Sequence, residues 1–272
     1  MPELPEVETV ARSLQPQLSG RTIVAATADW PPTIAYPSIE QFLTGVAGCS
    51  VKSVGRRGKY VVIHLDRGYL LIHLKMSGRL WIVPSGDPVD KHTHTIFDLD
   101  DGRQLRFHDV RKFGRVYLVD TLETVTAGLG PEPLSDELTL EAFRERLVPR
   151  SGRLKSLLLN QTFLAGLGNI YADEVLFAAR IHPLRKADTL TPEEQEALYV
   201  AIRFVLSRAV ANRGTTLADR GYQDANGRAG AFQDQIAVYG RTGTACLDCR
   251  HPIERIVVGG RSTHLCPVCQ TP

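Results

Sequence analysis

Val7, Val10, Ala11 and Leu14 recur at the spacing of one helical face, which predicts an amphipathic helix over residues 3–18 that ends at Gly20. Short apolar runs follow at Val51–Val54, Tyr60–Leu65, Leu70–Leu74, Leu80–Val83, Thr95–Leu99, Leu105–Phe107 and Val116–Val119. Turn residues separate several of them, among them Asp66-Arg67-Gly68, Pro84-Ser85-Gly86-Asp87 and the hairpin signal Asp101-Gly102. Short strands with such punctuation read as an antiparallel sandwich or barrel.

The pattern changes at Gly128-Leu129-Gly130-Pro131-Glu132-Pro133, which has the composition of a linker. Helical periods then predict elements at Thr139–Leu147, Leu154–Asn160 and Ile170–Ala179. A fourth helix opens at the capping box Thr191-Pro192-Glu193-Glu194 and ends near Asn212-Arg213-Gly214. Residues 215–235 lack periodicity and read as a long loop. Ile256-Val257-Val258, Gly259-Gly260 and Ser262–Leu265 predict a small hairpin. The class is α+β and multidomain, with expected domains at 1–130, 131–235 and 236–272.

Composition is that of a globular protein, 43% hydrophobic and 23% charged, which excludes a disordered or fibrous chain. No apolar run approaches a membrane span, and the acidic Met1-Pro2-Glu3-Leu4-Pro5-Glu6 start is no signal peptide, so the cytosol is expected. Net charge is +2 and nearly balanced along the chain. Total charge therefore does not announce a nucleic-acid partner, and any such site must come from local clustering.

Four of the 5 cysteines form two Cys-x2-Cys pairs, Cys246/Cys249 and Cys266/Cys269. That spacing predicts one structural, four-thiolate zinc ion, the alternative being four free thiols. Cys49 has no assigned role. At the other end, removal of Met1 would leave Pro2 as a secondary amine. An α-amine is partly unprotonated near neutral pH and can attack an aldehyde-like carbon. Glu3 and Glu6 stand near it as acid or base. The same residues also suit a plain helix start, because proline and carboxylates are favoured there.

The motifs MPELPEVETV, GRRGKY, HLKMSG, DVRKFG, LGPEPL, GLGNIYADEVLF, VYGR and GGRSTHLCPVCQ run through the chain in order. In them the sequence resembles bacterial formamidopyrimidine-DNA glycosylases over essentially its whole length. The resemblance implies an N-terminal β-sandwich with a leading helix, a helical helix-two-turns-helix domain and a C-terminal zinc ribbon. It implies a bifunctional glycosylase and abasic-site lyase of base excision repair. The expected partner is double-stranded DNA containing oxidised purines such as 8-oxoguanine and formamidopyrimidines, or abasic sites. It further implies a monomer in the bacterial cytoplasm, held at the nucleoid by DNA.

Residue by residue, the resemblance makes Pro2 the nucleophile, Glu3 the acid/base, Glu6 a supporting carboxylate and Lys59 a phosphate-binding lysine at the lesion. Met76, Arg111 and Phe113 match the side chains that fill the gap left by a flipped nucleotide. His92, Asn169 and Arg261 match contacts to the DNA backbone, although Asn169 could equally be a helix N-cap. Lys155 matches a lysine implicated in handling the oxidised purine. Residues Leu217–Gln233 cover the lesion-recognition loop. The chain departs from the family at Arg213 and Lys75, where glycine is frequent, and within the loop. Three other readings remain open on sequence: an endonuclease VIII-like enzyme for oxidised pyrimidines, an inactive zinc-ribbon DNA-binding protein, and a zinc-ribbon RNA-binding factor.

Overall fold

A computed structural model of the chain describes residues 1–217 and 221–271. The chain divides into two units, one of Met1–Ala127 with Asn212–Gln233 and the other of Gly128–Ala211 with Asp234–Pro272.

The first unit opens with α1 (Leu4–Leu18), capped at Glu3 and carrying Pro5 in its first turn. Proline costs little there because first-turn N–H groups have no helical acceptor. Next come β1 (Ile23–Ala28), β2 (Ile34–Tyr36), α2 (Ile39–Val46), β3 (Val51–Arg57), β4 (Tyr60–Leu65), β5 (Tyr69–His73), β6 (Gly78–Pro84), β7 (Thr93–Leu99), β8 (Arg103–Asp109), β9 (Arg115–Val119) and α3 (Glu123–Thr126). All seven predicted strands are present; β1, β2, α2 and α3 were not expected. Only Ile23 of β1 is buried and half its residues are alanine, so alternation is weak. For α2 a signal existed. Ser38 Oγ accepts from the Gln41 N–H at 3.3 Å, and the Gln41 side chain accepts from Ser38 N–H at 3.4 Å, a capping box written in the sequence.

The strands form two sheets, ordered β1-β7-β8-β6 and β2-β9-β5-β4-β3. All pairings are antiparallel except β2 with β9. The core joins Val7, Val10, Ala11 and Leu14 of α1 to Val61, Ile63, Leu70 and Ile72 of one sheet and Leu80, Phe97, Leu105 and Phe107 of the other. Tyr222 and Ala225 belong to the same core. The segment that carries them was expected with the helices it follows. It instead returns to α1, where the Ala225 N–H donates to Ser13 Oγ at 3.0 Å. Periodicity groups residues by chain order and cannot register such a return. Ala218, Asp219 and Arg220 of the predicted recognition loop lie outside the described residues.

The second unit contains α4 (Leu140–Leu147), α5 (Leu154–Leu159), α6 (Asn169–Ala178), α7 (Pro192–Ala211) and the hairpin β10 (Glu254–Val258) and β11 (Arg261–Leu265). Each of the four predicted helices is found. The α7 capping box forms as expected, with Glu194 N–H donating to Thr191 Oγ1 at 3.3 Å and Thr191 N–H to the Glu194 carboxylate at 2.9 Å. The hairpin turns through Gly259 and Gly260, both at positive φ, which places Arg261 opposite Val258. Phe177 of α6 packs with Val238, Cys246, Ile253 and Cys266, so the small ribbon core is completed by a helix. Glu174, one residue removed from Asp173 on α6, accepts the N–H groups of Ala237, Val238 and Tyr239 at 2.8–2.9 Å. Those bonds fix the segment entering the ribbon. Among the described residues no helix is long and apolar enough to cross a membrane.

Candidate active site and metal centre

In the first unit the start of α1 is unusually closed for a chain end. Met1 is exposed, but Pro2, Glu3 and Glu6 are buried. The Glu6 carboxylate accepts from the Glu3 N–H at 2.8 Å and from the Thr215 N–H at 2.7 Å. One carboxylate thus holds both the residue after Pro2 and the irregular segment 212–217. Gly214 lies at φ +71, and a Cβ there would meet Glu6 Oε1 at 2.6 Å, so no other residue fits. Tyr222 closes the same place. Its hydroxyl donates to the Arg213 carbonyl at 3.2 Å, and burial with the nearby Glu6 carboxylate pushes its phenol well above the ordinary range.

Lys59 lies at the β3–β4 turn and is buried. The sequence reading missed its neighbour His73. Burial, then the ammonium groups of Lys75 and Lys59, push the His73 imidazole down to about 3, so it is neutral. Its Nδ1 accepts the Lys75 N–H at 3.0 Å, which leaves Nε2 as the protonated nitrogen. Two ammonium groups near a neutral imidazole have the chemistry to bind an anion. The signal was the histidine inside HLKMSG, at the end of β5 and two residues before Lys75.

Met76 sits in the β5–β6 turn, and Arg111 and Phe113 in the β8–β9 turn; all three are exposed. The Arg111 guanidinium stacks on the Phe113 ring at 4.8 Å from its centroid. Exposed apolar side chains on turns are poor core residues but well placed to enter a ligand. His92 lies just before β7, half-buried, with its ring 5.6 Å from that of His108 and its N–H on Asp90 at 2.8 Å.

Both glycine departures named above fall on left-handed backbone, Lys75 at φ +53 and Arg213 at φ +58. A side chain there costs about 1 kcal/mol or a little more relative to glycine. Each position carries a positive charge on that left-handed backbone.

In the second unit Asn169 is the first residue of α6, and Gly168 is the N-cap. The N-cap reading of Asn169 therefore falls. Its amide donates to the Ser262 carbonyl at 2.9 Å, on the hairpin beside exposed Arg261, while its buried Oδ1 has no hydrogen-bond partner among the described residues. The amide's second N–H remains available for a phosphate oxygen.

Lys155 requires a correction. It is fully buried, and its ammonium donates to Asp173 at 2.7 Å and to the Asn169 carbonyl at 2.9 Å. Asp173 also accepts the His264 N–H at 2.9 Å, and its Oδ2 lies 3.0 Å from His264 Nδ1. A charge held in this way cannot touch a base. Lys155 ties α5 to α6, and Asp173 ties α6 to β11. Lys155→Met should lower unfolding free energy by about 3 kcal/mol or more, because Asp173 loses its buried counter-charge. Denaturant titration of the zinc-loaded protein measures this, and an unchanged midpoint would refute it.

The four cysteine sulfurs lie within 4.8 Å of one another. Cys246 and Cys269 are 3.9 Å apart and Cys249 and Cys266 3.4 Å, too far for disulfides. Tetrahedral zinc at ~2.3 Å from each sulfur sets them ~3.8 Å apart. The donor set fits one closed, structural zinc ion.

Comparisons with known proteins agree along the chain. Residues 1–116 match the formamidopyrimidine-DNA glycosylase N-terminal domain family, 129–220 its H2TH domain, and 243–272 the zinc finger found in FPG and IleRS. A formamidopyrimidine-DNA glycosylase of Herpetosiphon aurantiacus is 49% identical, covering 99% of this chain and 100% of that one. Another from Chloroflexus aggregans is 51% identical, with 99% and 98% covered. Among solved structures, the MutM (Fpg) protein of Thermus thermophilus gives a TM-score of 0.90 at 42% identity, over 99% and 98% of the two chains. A Lactococcus lactis Fpg mutant in complex with Fapy-dG-containing DNA gives 0.93 at 36%, over the full length of both.

Proposed function

Because the chain belongs to the formamidopyrimidine-DNA glycosylase family, we propose that it excises oxidised purines from duplex DNA and cleaves the resulting abasic strand. The observation that carries the mechanism is the buried Pro2-Glu3 start of α1, anchored by the Glu6 carboxylate.

With Met1 removed, the Pro2 nitrogen has a lone pair to give. The damaged nucleotide leaves the stack, at a cost of a few kcal/mol. Met76, Arg111 and Phe113 fill the space, Arg111 offering hydrogen bonds to the orphaned base. The Pro2 nitrogen bonds to C1′ as the glycosidic bond breaks; the base departs with the electron pair and takes up the proton that the Pro2 ammonium gives up, which restores the nitrogen lone pair. Glu3 gives a proton to the ring oxygen, the sugar opens, and an iminium forms between Pro2 and C1′. Loss of a C2′ proton then expels the 3′ phosphate, and a second elimination expels the 5′ phosphate. Glu6 holds the backbone of Glu3 during these steps and touches no reacting atom.

Lys59 and Lys75 beside His73 hold phosphate near the lesion, with His92 on the backbone as well. Asn169 and Arg261 supply phosphate contacts from the second unit. Zinc, when bound to the four cysteines, holds the hairpin that presents Arg261 and supplies no chemistry to the reaction. Acting on chromosomal DNA, the enzyme works as a monomer in the cytoplasm at the nucleoid.

Incubation with an 8-oxoguanine duplex and sodium borohydride tests the reading. The expected result is a covalent protein–DNA complex and, without borohydride, a gap with phosphate on both sides. Trapping only on oxidised-pyrimidine duplexes would move the assignment to the endonuclease VIII type. No trapping on any of these or on abasic duplexes would overturn it.

A further inference from the structure

The turns that carry Met76 and Arg111/Phe113 are separate in sequence, yet one buried carboxylate joins them. Asp109, the last residue of β8, is 1% exposed. Its Oδ1 accepts the hydroxyl of Ser77, next to Met76, and the Arg111 N–H at 3.2 Å. Its Oδ2 accepts the Gly114 N–H at 2.6 Å, just after Phe113. Ser77 Oγ in turn accepts the Arg111 N–H at 3.2 Å. The Asp109 carbonyl receives the Lys112 N–H at 3.2 Å and lies 2.9 Å from His94 Nε2, and its own N–H donates to the His92 carbonyl at 2.9 Å.

Both turns are also strained next to the side chains they present. Lys75, before Met76, lies at φ +53, and Lys112, between Arg111 and Phe113, at φ +58. Left-handed lysines persist only where surrounding bonds over-determine the backbone. Gly114 has no room for a side chain, since a Cβ would come 2.3 Å from the Phe107 ring. The turn is thus pinned by Asp109 on one side and by the core on the other.

We propose that Asp109 and Ser77 are positioning residues: a polar clasp that sets the two turns at one separation so that Met76, Arg111 and Phe113 enter the duplex as a unit. This rests on the wedge role given to those three side chains above. Asp109, being buried, touches no DNA; the Ser77 hydroxyl acts on Arg111 through its main chain. The clasp confines the cost of ordering exposed side chains to folding rather than to DNA binding. Its loss should therefore slow nucleotide flipping and leave the amine chemistry intact.

The test uses zinc-loaded, full-length protein with Met1 removed, and a duplex with 2-aminopurine opposite 8-oxoguanine. Fluorescence of that orphan base reports wedge insertion. For Ser77→Ala we expect insertion and base excision about tenfold slower, the scale of one lost hydrogen bond at a transition state. Cleavage of a single-stranded abasic oligonucleotide, which needs no wedge, should stay within about twofold on the same scale. Ser77→Thr, which keeps the hydroxyl, should restore insertion. Asp109→Asn should exceed Ser77→Ala in effect; where it fails to fold, Ser77→Ala decides. Native insertion and excision rates in Ser77→Ala would overturn the clasp while Phe113→Ala still abolishes insertion. Unchanged insertion in Phe113→Ala as well would remove the wedge assignment, and the clasp with it.

Discussion

Acetylating the Pro2 amine should abolish the borohydride-trapped complex and reduce base excision at least about a thousandfold, because the nucleophile itself is removed. An amide nitrogen shares its lone pair with the carbonyl and cannot form an iminium. The choice of a chain terminus also has a quantitative basis. With an ordinary pKa of 7.7–8.0, about a third of an α-amine is unprotonated at pH 7.5, against about 0.1% of a lysine side chain at 10.4. Retention of Met1 should have the same effect as acetylation, since Pro2 is then an internal residue. Pro2→Gly keeps a terminal amine but loses the rigid ring, so trapping should fall without vanishing. Affinity for a duplex with a reduced abasic site should change little in the acetylated protein. The measurement is trapped product against time, on protein whose N-terminal mass has been checked. Undiminished trapping by fully acetylated protein would remove Pro2 from the mechanism.

Zinc removal should produce the second large effect. The ribbon's own buried apolar residues are few, Val238, Cys246, Ile253, Val258, Leu265 and Cys266, too little to order the hairpin without metal. Chelation is expected to melt β10 and β11, and with them the placement of Arg261 and the Ser262 carbonyl that holds Asn169. Duplex affinity should fall, and its dependence on salt should flatten by about 0.9 per lost phosphate contact. The sandwich should survive, since none of the four ligands belongs to its core. Both tryptophans, Trp30 and Trp81, lie in the first unit, so their fluorescence transition reports that unit. Chelated protein should keep this transition while losing DNA affinity. Full affinity after chelation would separate the metal from DNA binding.

The residues explain which readings succeeded. Predicted strands such as Tyr60–Leu65 and Leu105–Phe107 are apolar runs bounded by turns, and local composition sufficed. The α7 capping box and the Gly259-Gly260 turn are likewise local, each a few residues satisfying their own backbone groups. β1 was lost because only one of its residues is buried. Lys155 shows the limit most clearly. A single lysine in the leucine-rich run Leu154–Leu159 gives no sign that Asp173 and His264, from α6 and β11, will enclose it. His73 is the converse case, since its neutrality depends on burial and on Lys59, a residue brought beside it by the β4–β5 pairing.

By itself the sequence determined the element types, the four-cysteine metal site and the proline-glutamate terminus, because each depends on residues close together in the chain. Tertiary structure alone decided that Glu6 would hold Thr215, that residues 212–233 would return to α1, and that Asp109 would join two turns. The Glu6 and Asp109 contacts pair buried carboxylates with N–H and hydroxyl donors that the chain supplies from elsewhere. A buried carboxylate must find such donors, but sequence does not say which ones the packing will bring within reach.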